Sequence, residues 1–122
     1  MGDLSEHFSR SEFACKCGCG KDGVSMDLIF QLERLRNFIR RPVQINSGLR
    51  CETENLRVGG KPDSAHLTGE AADIGCVDSH TRWQMKRVIY SWSLFNRVGH
   101  GATFLHVDIS KVLPQEVEWI YP

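Results

Sequence analysis

Neither sign of charge is in excess in this chain: its 122 residues carry 15 Lys+Arg against 15 Asp+Glu. A balanced chain has no global field with which to gather nucleic acid or an anionic surface, so nucleic acid is not expected as a partner and recognition must be local. Long apolar runs are missing too. No stretch approaches the roughly 20 residues that a membrane-spanning helix needs, and membrane insertion is not expected. The opening residues, Met1-Gly2-Asp3-Leu4-Ser5-Glu6-His7, lack the basic and apolar stretches of a signal peptide. Synthesis in the cytoplasm is therefore expected, with any action outside the membrane depending on release by something else. There are no internal repeats or low-complexity segments. Ordinary proportions of hydrophobic (41%) and charged (25%) residues indicate one globular domain over 1–122, expected as a monomer.

Cysteine is scarce but concentrated. Five residues are an odd number, which excludes a fully paired disulfide framework. Three of them fall in Cys15-Lys16-Cys17-Gly18-Cys19-Gly20, with Cys51 and Cys76 distant. In a chain with no secretion signal such a cluster leans toward thiols or a metal. Three readings stay open: a structural metal, a local disulfide involving Cys51, or unpaired thiols packed in a Gly-rich loop.

What is present reads as a small α+β fold with an antiparallel sheet flanked by helices. Residues 1–24 form a loop-like Cys/Gly-rich segment expected to pack on the domain. Ser25 offers an N-cap, and Leu28, Leu32, Leu35 and Ile39 recur with helical spacing until Arg41-Pro42 ends the run. Val43 to Asn46 reads as a short strand, Glu52 to Arg57 as a helical piece, and Glu70 to Val77 as a strand with Asp73 on one face and Ala72, Ile74 and Cys76 on the other. Asp78 or Ser79 caps a second helix through Trp92, whose Trp83 and Trp92 are expected in packing. Asn96 to Gly101 reads as loop. Thr103 to Ile109 is a strand with Leu105, Val107 and Ile109 toward the core and Phe104, His106 and Asp108 opposite. Trp119 is expected to cover the sheet near the C-terminus. The basic run Arg34, Arg36, Arg40 and Arg41 reads as a solvated face.

Chemistry concentrates in two places, Ser64-Ala65-His66-Leu67-Thr68-Gly69-Glu70-Ala71-Ala72-Asp73 and Phe104-Leu105-His106-Val107-Asp108. A turn and two strands could bring His66, Asp73 and His106 together, and two imidazoles with a carboxylate form the donor set of a catalytic zinc site with a position open to water. Asp73 stands in an otherwise apolar strand, where an unpaired carboxylate is costly. The competing account is an internal salt-bridge network without a metal.

Ser47-Gly48-Leu49-Arg50-Cys51, Gly59-Gly60, Ser64-x-His66-x-x-Gly69-x-Ala71-x-Asp73 and His106-Val107-Asp108 together resemble the zinc D-Ala-D-Ala carboxypeptidase family, over about Phe13 to Ile109. That family includes phage L-alanyl-D-glutamate endolysins, and its fold is shared with the amino-terminal signalling domain of Hedgehog proteins. The Cys-rich segment also resembles that of a subgroup of these peptidases. The resemblance implies Zn2+ held by His66, Asp73 and His106, Arg50 polarising the scissile carbonyl, and Ser64 contacting substrate, with His100 a further candidate at the substrate. Many relatives carry an acid three residues before the last histidine ligand, where this chain has Thr103. Asp108 is then the expected proton acceptor, the alternative being that it only orients His106.

The implied activity is hydrolysis of an amide in the peptidoglycan stem peptide by zinc-activated water. L-Ala-D-Glu endopeptidase is preferred over D-Ala-D-Ala carboxypeptidase, with a holin-type partner for export. Two non-catalytic readings compete: a zinc-containing wall-binding or structural domain of the same fold, and a zinc-ribbon-like module built on Cys15, Cys17, Cys19 and Cys51.

Overall fold

A computed structural model describes residues 2–122. The regular elements are α1 (Met26–Ile39), β1 (Ile45–Ser47), α2 (Glu52–Arg57), β2 (Ala71–Gly75), α3 (Ser79–Ser91), β3 (Arg97–His100), β4 (Phe104–Asp108) and β5 (Val117–Ile120), with short 3-10 turns at Arg10–Glu12 and Ala65–Thr68. The α+β class is as expected. The sheet runs β1-β2-β4-β3-β5; the first three pairings are antiparallel and β5 joins β3 in parallel, so the sheet is mixed. Two elements differ from the sequence expectation. The stretch read as a loop at Asn96–Gly101 holds β3, and Val117–Ile120 is a full edge strand. Glycines at 99 and 101 disguised β3, because Gly weakens strand propensity. Gly99 is required there by packing: a Cβ would lie 2.6 Å from the rings of Trp119 and Tyr121.

The helices cover one face of the sheet. Leu28, Ile29, Leu32 and Leu35 of α1 are fully buried, as are Met85 and Ile89 of α3, against Ala72, Ile74, Val98, Leu105 and Val107. Each such aliphatic side chain contributes about 1.5–3 kcal/mol of transfer free energy. α1 stops at Arg40, which adopts a left-handed cap (φ 56°) just before Arg41-Pro42. α3 starts at Asp78, whose carboxylate accepts the Thr81 N–H at 2.7 Å. Both tryptophans expected in packing are largely exposed, although Trp92 stacks on the exposed Phe38 ring at 4.7 Å. The N-terminal segment joins the core through Phe8 and Phe13. The Glu33 carboxylate ties that segment to α1 by accepting from the His7 N–H at 2.7 Å and from the Ser5 hydroxyl. No helix of the described residues is long and apolar enough to cross a membrane.

The opposite face carries the polar residues. Strand register sets Ser47 beside Asp73, Asp73 beside His106, His106 beside Gly99, and Gly99 beside Trp119. One transverse row thus spans all five strands.

Candidate metal centre

His66 reaches that row from the 3-10 turn Ala65–Thr68. Ser64 caps the turn by accepting the His66 N–H at 3.2 Å, and Gly69 closes it with φ 74°, a left-handed value that glycine adopts without steric cost. A Cβ at Gly69 would also strike the Gly23 carbonyl at 2.2 Å. The chain leaves this turn directly into β2, so His66 and Asp73 face each other. His66 Nε2 lies 3.2 Å from Asp73 Oδ1, and His106 Nδ1 lies 3.1 Å from the same oxygen. The two rings are 5.0 Å apart and inclined at 69°. Both imidazoles are buried, while Asp73 keeps an accessible edge.

The far nitrogen of each ring fixes its tautomer. His66 Nδ1 stands 2.6 Å from the Gly48 carbonyl, which can only accept, so Nδ1 carries the hydrogen. His106 Nε2 stands 2.7 Å from Asp108 Oδ2 and likewise donates. In the neutral rings the remaining nitrogens, His66 Nε2 and His106 Nδ1, are bare lone pairs aimed at a carboxylate oxygen. Three electron-rich atoms converging in this way repel one another unless a cation lies among them. Zinc bonds of about 2.0–2.2 Å in a tetrahedron separate neighbouring ligand atoms by about 3.3–3.5 Å, close to the spacings here. The three donor atoms lie within 4.8 Å of one another. The residues therefore fit a divalent metal of the zinc type.

The pKa pattern has the same origin. Without a metal, burial alone would raise the Asp73 carboxyl, but His106 and His66 in their protonated forms donate to it and, with their charge, hold it well below the usual range. Burial disfavours the charged form of His106, yet Asp108 and Asp73 outweigh it and raise its pKa. Metal binding competes with that proton, because an imidazole ligates through a deprotonated nitrogen.

The chain matches the family model for peptidase M15 over residues 6–109. It belongs to the peptidase M15 family. The peptidases of this family are zinc-dependent and include D-Ala-D-Ala carboxypeptidase-like enzymes, so the cofactor expected from the sequence stands, with His66, Asp73 and His106 as the donor set that suits it. No curated protein matches the chain.

Around this M15 donor set the other expected residues fall into different places. Arg50 is at the site: its Nη2 is 3.7 Å from Asp73 Oδ2, and its Nη1 donates to Asn55 Oδ1 at 3.0 Å. Arg50 Nε is buried without a hydrogen-bond partner among the described residues. Ser64 spends an oxygen lone pair on the ligand turn and keeps its O–H to donate. Asp108 is on the same face as His106, but its carboxylate lies behind the ring. Oδ2 takes His106 Nε2, Oδ1 takes Arg97 Nε at 2.9 Å and Ser110 N at 3.1 Å, and the residue is 1% exposed. Both oxygens are committed on the far side of the imidazole, an arrangement that favours the alternative in which Asp108 orients His106 over the expected proton acceptor. His100, expected as a further candidate at the substrate, stands apart from the donor set. Strand alternation sends it to the helix side of the sheet, where Nε2 is 2.6 Å from Glu118 and 3.4 Å from the Tyr90 hydroxyl. Thr103 lines a groove with Asn46, Gly75 and Asp78 and supplies no acid.

Three residues beside the donor set were not assigned to the site from the sequence, though Trp119 was expected over the sheet. Trp119 lies 5.3 Å from the His106 ring, with the Arg97 guanidinium 5.1 Å over its own ring, and Tyr121 packs beside it at 6.1 Å. They wall the metal site on the β5 side. Burial, together with the Asp73 carboxylate, pushes the Tyr121 phenol up. The available signal was the alternation Val117, Trp119, Tyr121 against Glu118 and Ile120, which is that of a strand. Arg97 is the third, since a buried Asp108 needs a cation.

Asp108→Asn separates orientation from proton transfer. An orienting role predicts zinc affinity lower by about 10–100-fold, with most of kcat recovered at saturating zinc. A thousandfold loss of kcat at full zinc occupancy would instead make Asp108 the proton acceptor. Zinc titration with parallel rate measurement distinguishes the two, and thermal melts confirm that the variant is folded although the half-buried Arg97 loses its counter-charge.

Proposed function

We propose that this zinc peptidase hydrolyses an amide of the peptidoglycan stem peptide, at the L-Ala-D-Glu bond. The observation that carries the metal chemistry is the convergence of His66 Nε2, His106 Nδ1 and Asp73 Oδ1, each imidazole locked by an acceptor behind it. Zinc held there supplies a Lewis acid for the scissile carbonyl and a nucleophile at neutral pH. The chain's own residues do the rest. Arg50, braced by Asn55, presents permanent positive charge beside Asp73, where the carbonyl oxygen gains charge. Ser64 donates its hydroxyl to the substrate backbone. Asp108, held by Arg97, keeps His106 in the ligating tautomer. Trp119 and Tyr121 flank the His106 side of the donor set, where they would border a bound substrate.

The preference for an internal bond rests on the cations. A carboxypeptidase needs one for the terminal carboxylate besides the donor at the scissile carbonyl. Arg97 is committed to Asp108 and the Pro114 carbonyl, which leaves Arg50 as the cation facing Asp73. The wall is reached after release from the cytoplasm, with a holin-type partner opening the way.

Defined muropeptides carrying both bonds decide the matter by mass spectrometry of the products. The expected products are a glycan-linked L-Ala terminus and a peptide beginning with D-Glu. Release of terminal D-Ala alone would replace the endopeptidase with a carboxypeptidase. Zinc-loaded protein that releases nothing would favour the structural or wall-binding domain.

A further inference from the structure

A second cluster of metal-binding side chains lies behind the Arg50 loop, away from the histidines. Cys15, Cys17 and Cys19 come from the N-terminal segment and Cys51 from the N-cap of α2, and their sulfurs all lie within 4.8 Å of one another. The Cys15–Cys17, Cys15–Cys51 and Cys17–Cys51 sulfurs are 3.4, 3.7 and 3.6 Å apart. A disulfide requires about 2.05 Å, and none is formed among these residues. Four sulfurs on a tetrahedron with zinc–sulfur bonds of about 2.3 Å lie about 3.8 Å apart, and the observed separations are near that edge.

Hydrophobic packing does not account for the cluster, because Cys17 and Cys19 are exposed and only Cys15 is buried. Backbone donors aim at the sulfurs instead: Cys51 N–H at Cys15 Sγ and Glu54 N–H at Cys51 Sγ, both at 3.4 Å. Donors of this kind stabilise thiolates and orient them as ligands. Left-handed turns at Gly18 (φ 82°) and Gly20 (φ 88°) wrap the Cys-x-Cys-x-Cys segment around one point.

We propose that Cys15, Cys17, Cys19 and Cys51 hold a second zinc ion in a closed, structural site. Four thiolates fill its coordination and leave no position for water. Its place in the fold gives it a task. Cys51 directly follows Arg50, Phe13 O accepts the Leu49 N–H at 2.9 Å, and the carbonyl of Gly48 locks His66. The ion therefore staples the N-terminal segment to the loop that supplies both Arg50 and the His66 acceptor.

Metal content of the full-length protein, purified under reducing conditions without chelator, tests this by native mass spectrometry and elemental analysis. The expectation is two zinc ions per chain, falling to one in Cys19→Ser and to one in a His66→Ala/His106→Ala double variant. Cobalt loaded into that double variant should show thiolate-to-cobalt charge-transfer absorption in the near ultraviolet. A wild-type content of one zinc that Cys19→Ser leaves unchanged would overturn the proposal. So would an intact mass lighter by two hydrogens with a disulfide mapped to these four residues. If Cys19→Ser does not fold, the double variant decides alone: zinc and the charge-transfer band retained support the site, and their absence refutes it.

Discussion

His106→Ala is expected to leave a folded protein that no longer retains zinc between His66 and Asp73, and to lower amide hydrolysis by at least about a thousandfold. The size follows from the chemistry. Metal assistance contributes several kcal/mol to the transition state, and each 1.36 kcal/mol is tenfold in rate. Folding should survive, because His106 does not anchor the core. Its strand neighbours Leu105 and Val107 do, and both are fully buried. Asp108 keeps Arg97 and the Ser110 N–H when the imidazole is lost. Removing one lone pair from the crowded set also relieves repulsion in the metal-free protein. Zinc content, melting temperature and turnover measured on one preparation check each part. Normal turnover with this variant would exclude the donor set as the catalytic centre.

Arg50→Ala should act differently, lowering kcat by about 10²–10³-fold, the cost of removing a donor aimed at developing oxyanion charge, while zinc content stays unchanged. Arg50 touches Asp73 only through Nη2 to Oδ2 at 3.7 Å, on the side away from the oxygen shared by the histidines. Arg50→Lys should recover part of the rate at most, since a single ammonium nitrogen cannot occupy the separate Nη1 and Nη2 positions from which Arg50 reaches Asn55 and faces Asp73. A rise in KM with kcat intact would mean that Arg50 binds ground state and transition state equally, and the polarising role would fail. Steady-state kinetics on a soluble stem peptide separates the two outcomes.

The donor set was legible in the sequence because each member is a polar residue in an apolar setting. Asp73 and His106 interrupt alternating strands, and Gly69 announces the turn that delivers His66. Alternation also placed Asp108 correctly beside His106. Its role was not legible, because that depends on Arg97, which meets it only through the β3–β4 register. The side of the sheet that His100 takes was not legible for a related reason: with β3 taken for loop, nothing assigned the residue to a face. Trp119 and Tyr121 needed the parallel pairing of β5 with β3, a long-range contact that local pattern does not encode. The thiol cluster was visible as composition. The arrival of Cys51 among the other three depends on Phe13 docking against Gly48 and Leu49, a tertiary event.

The most direct measurement is a zinc titration of metal-depleted protein, followed by the rate of stem-peptide amide hydrolysis. Wild-type protein should be inactive without metal and regain its full rate as the His66–Asp73–His106 set fills, while His66→Ala stays inactive at every zinc concentration. Full hydrolysis by the metal-free protein, or recovery by His66→Ala in step with wild type, would contradict the assignment of this site as the catalytic centre.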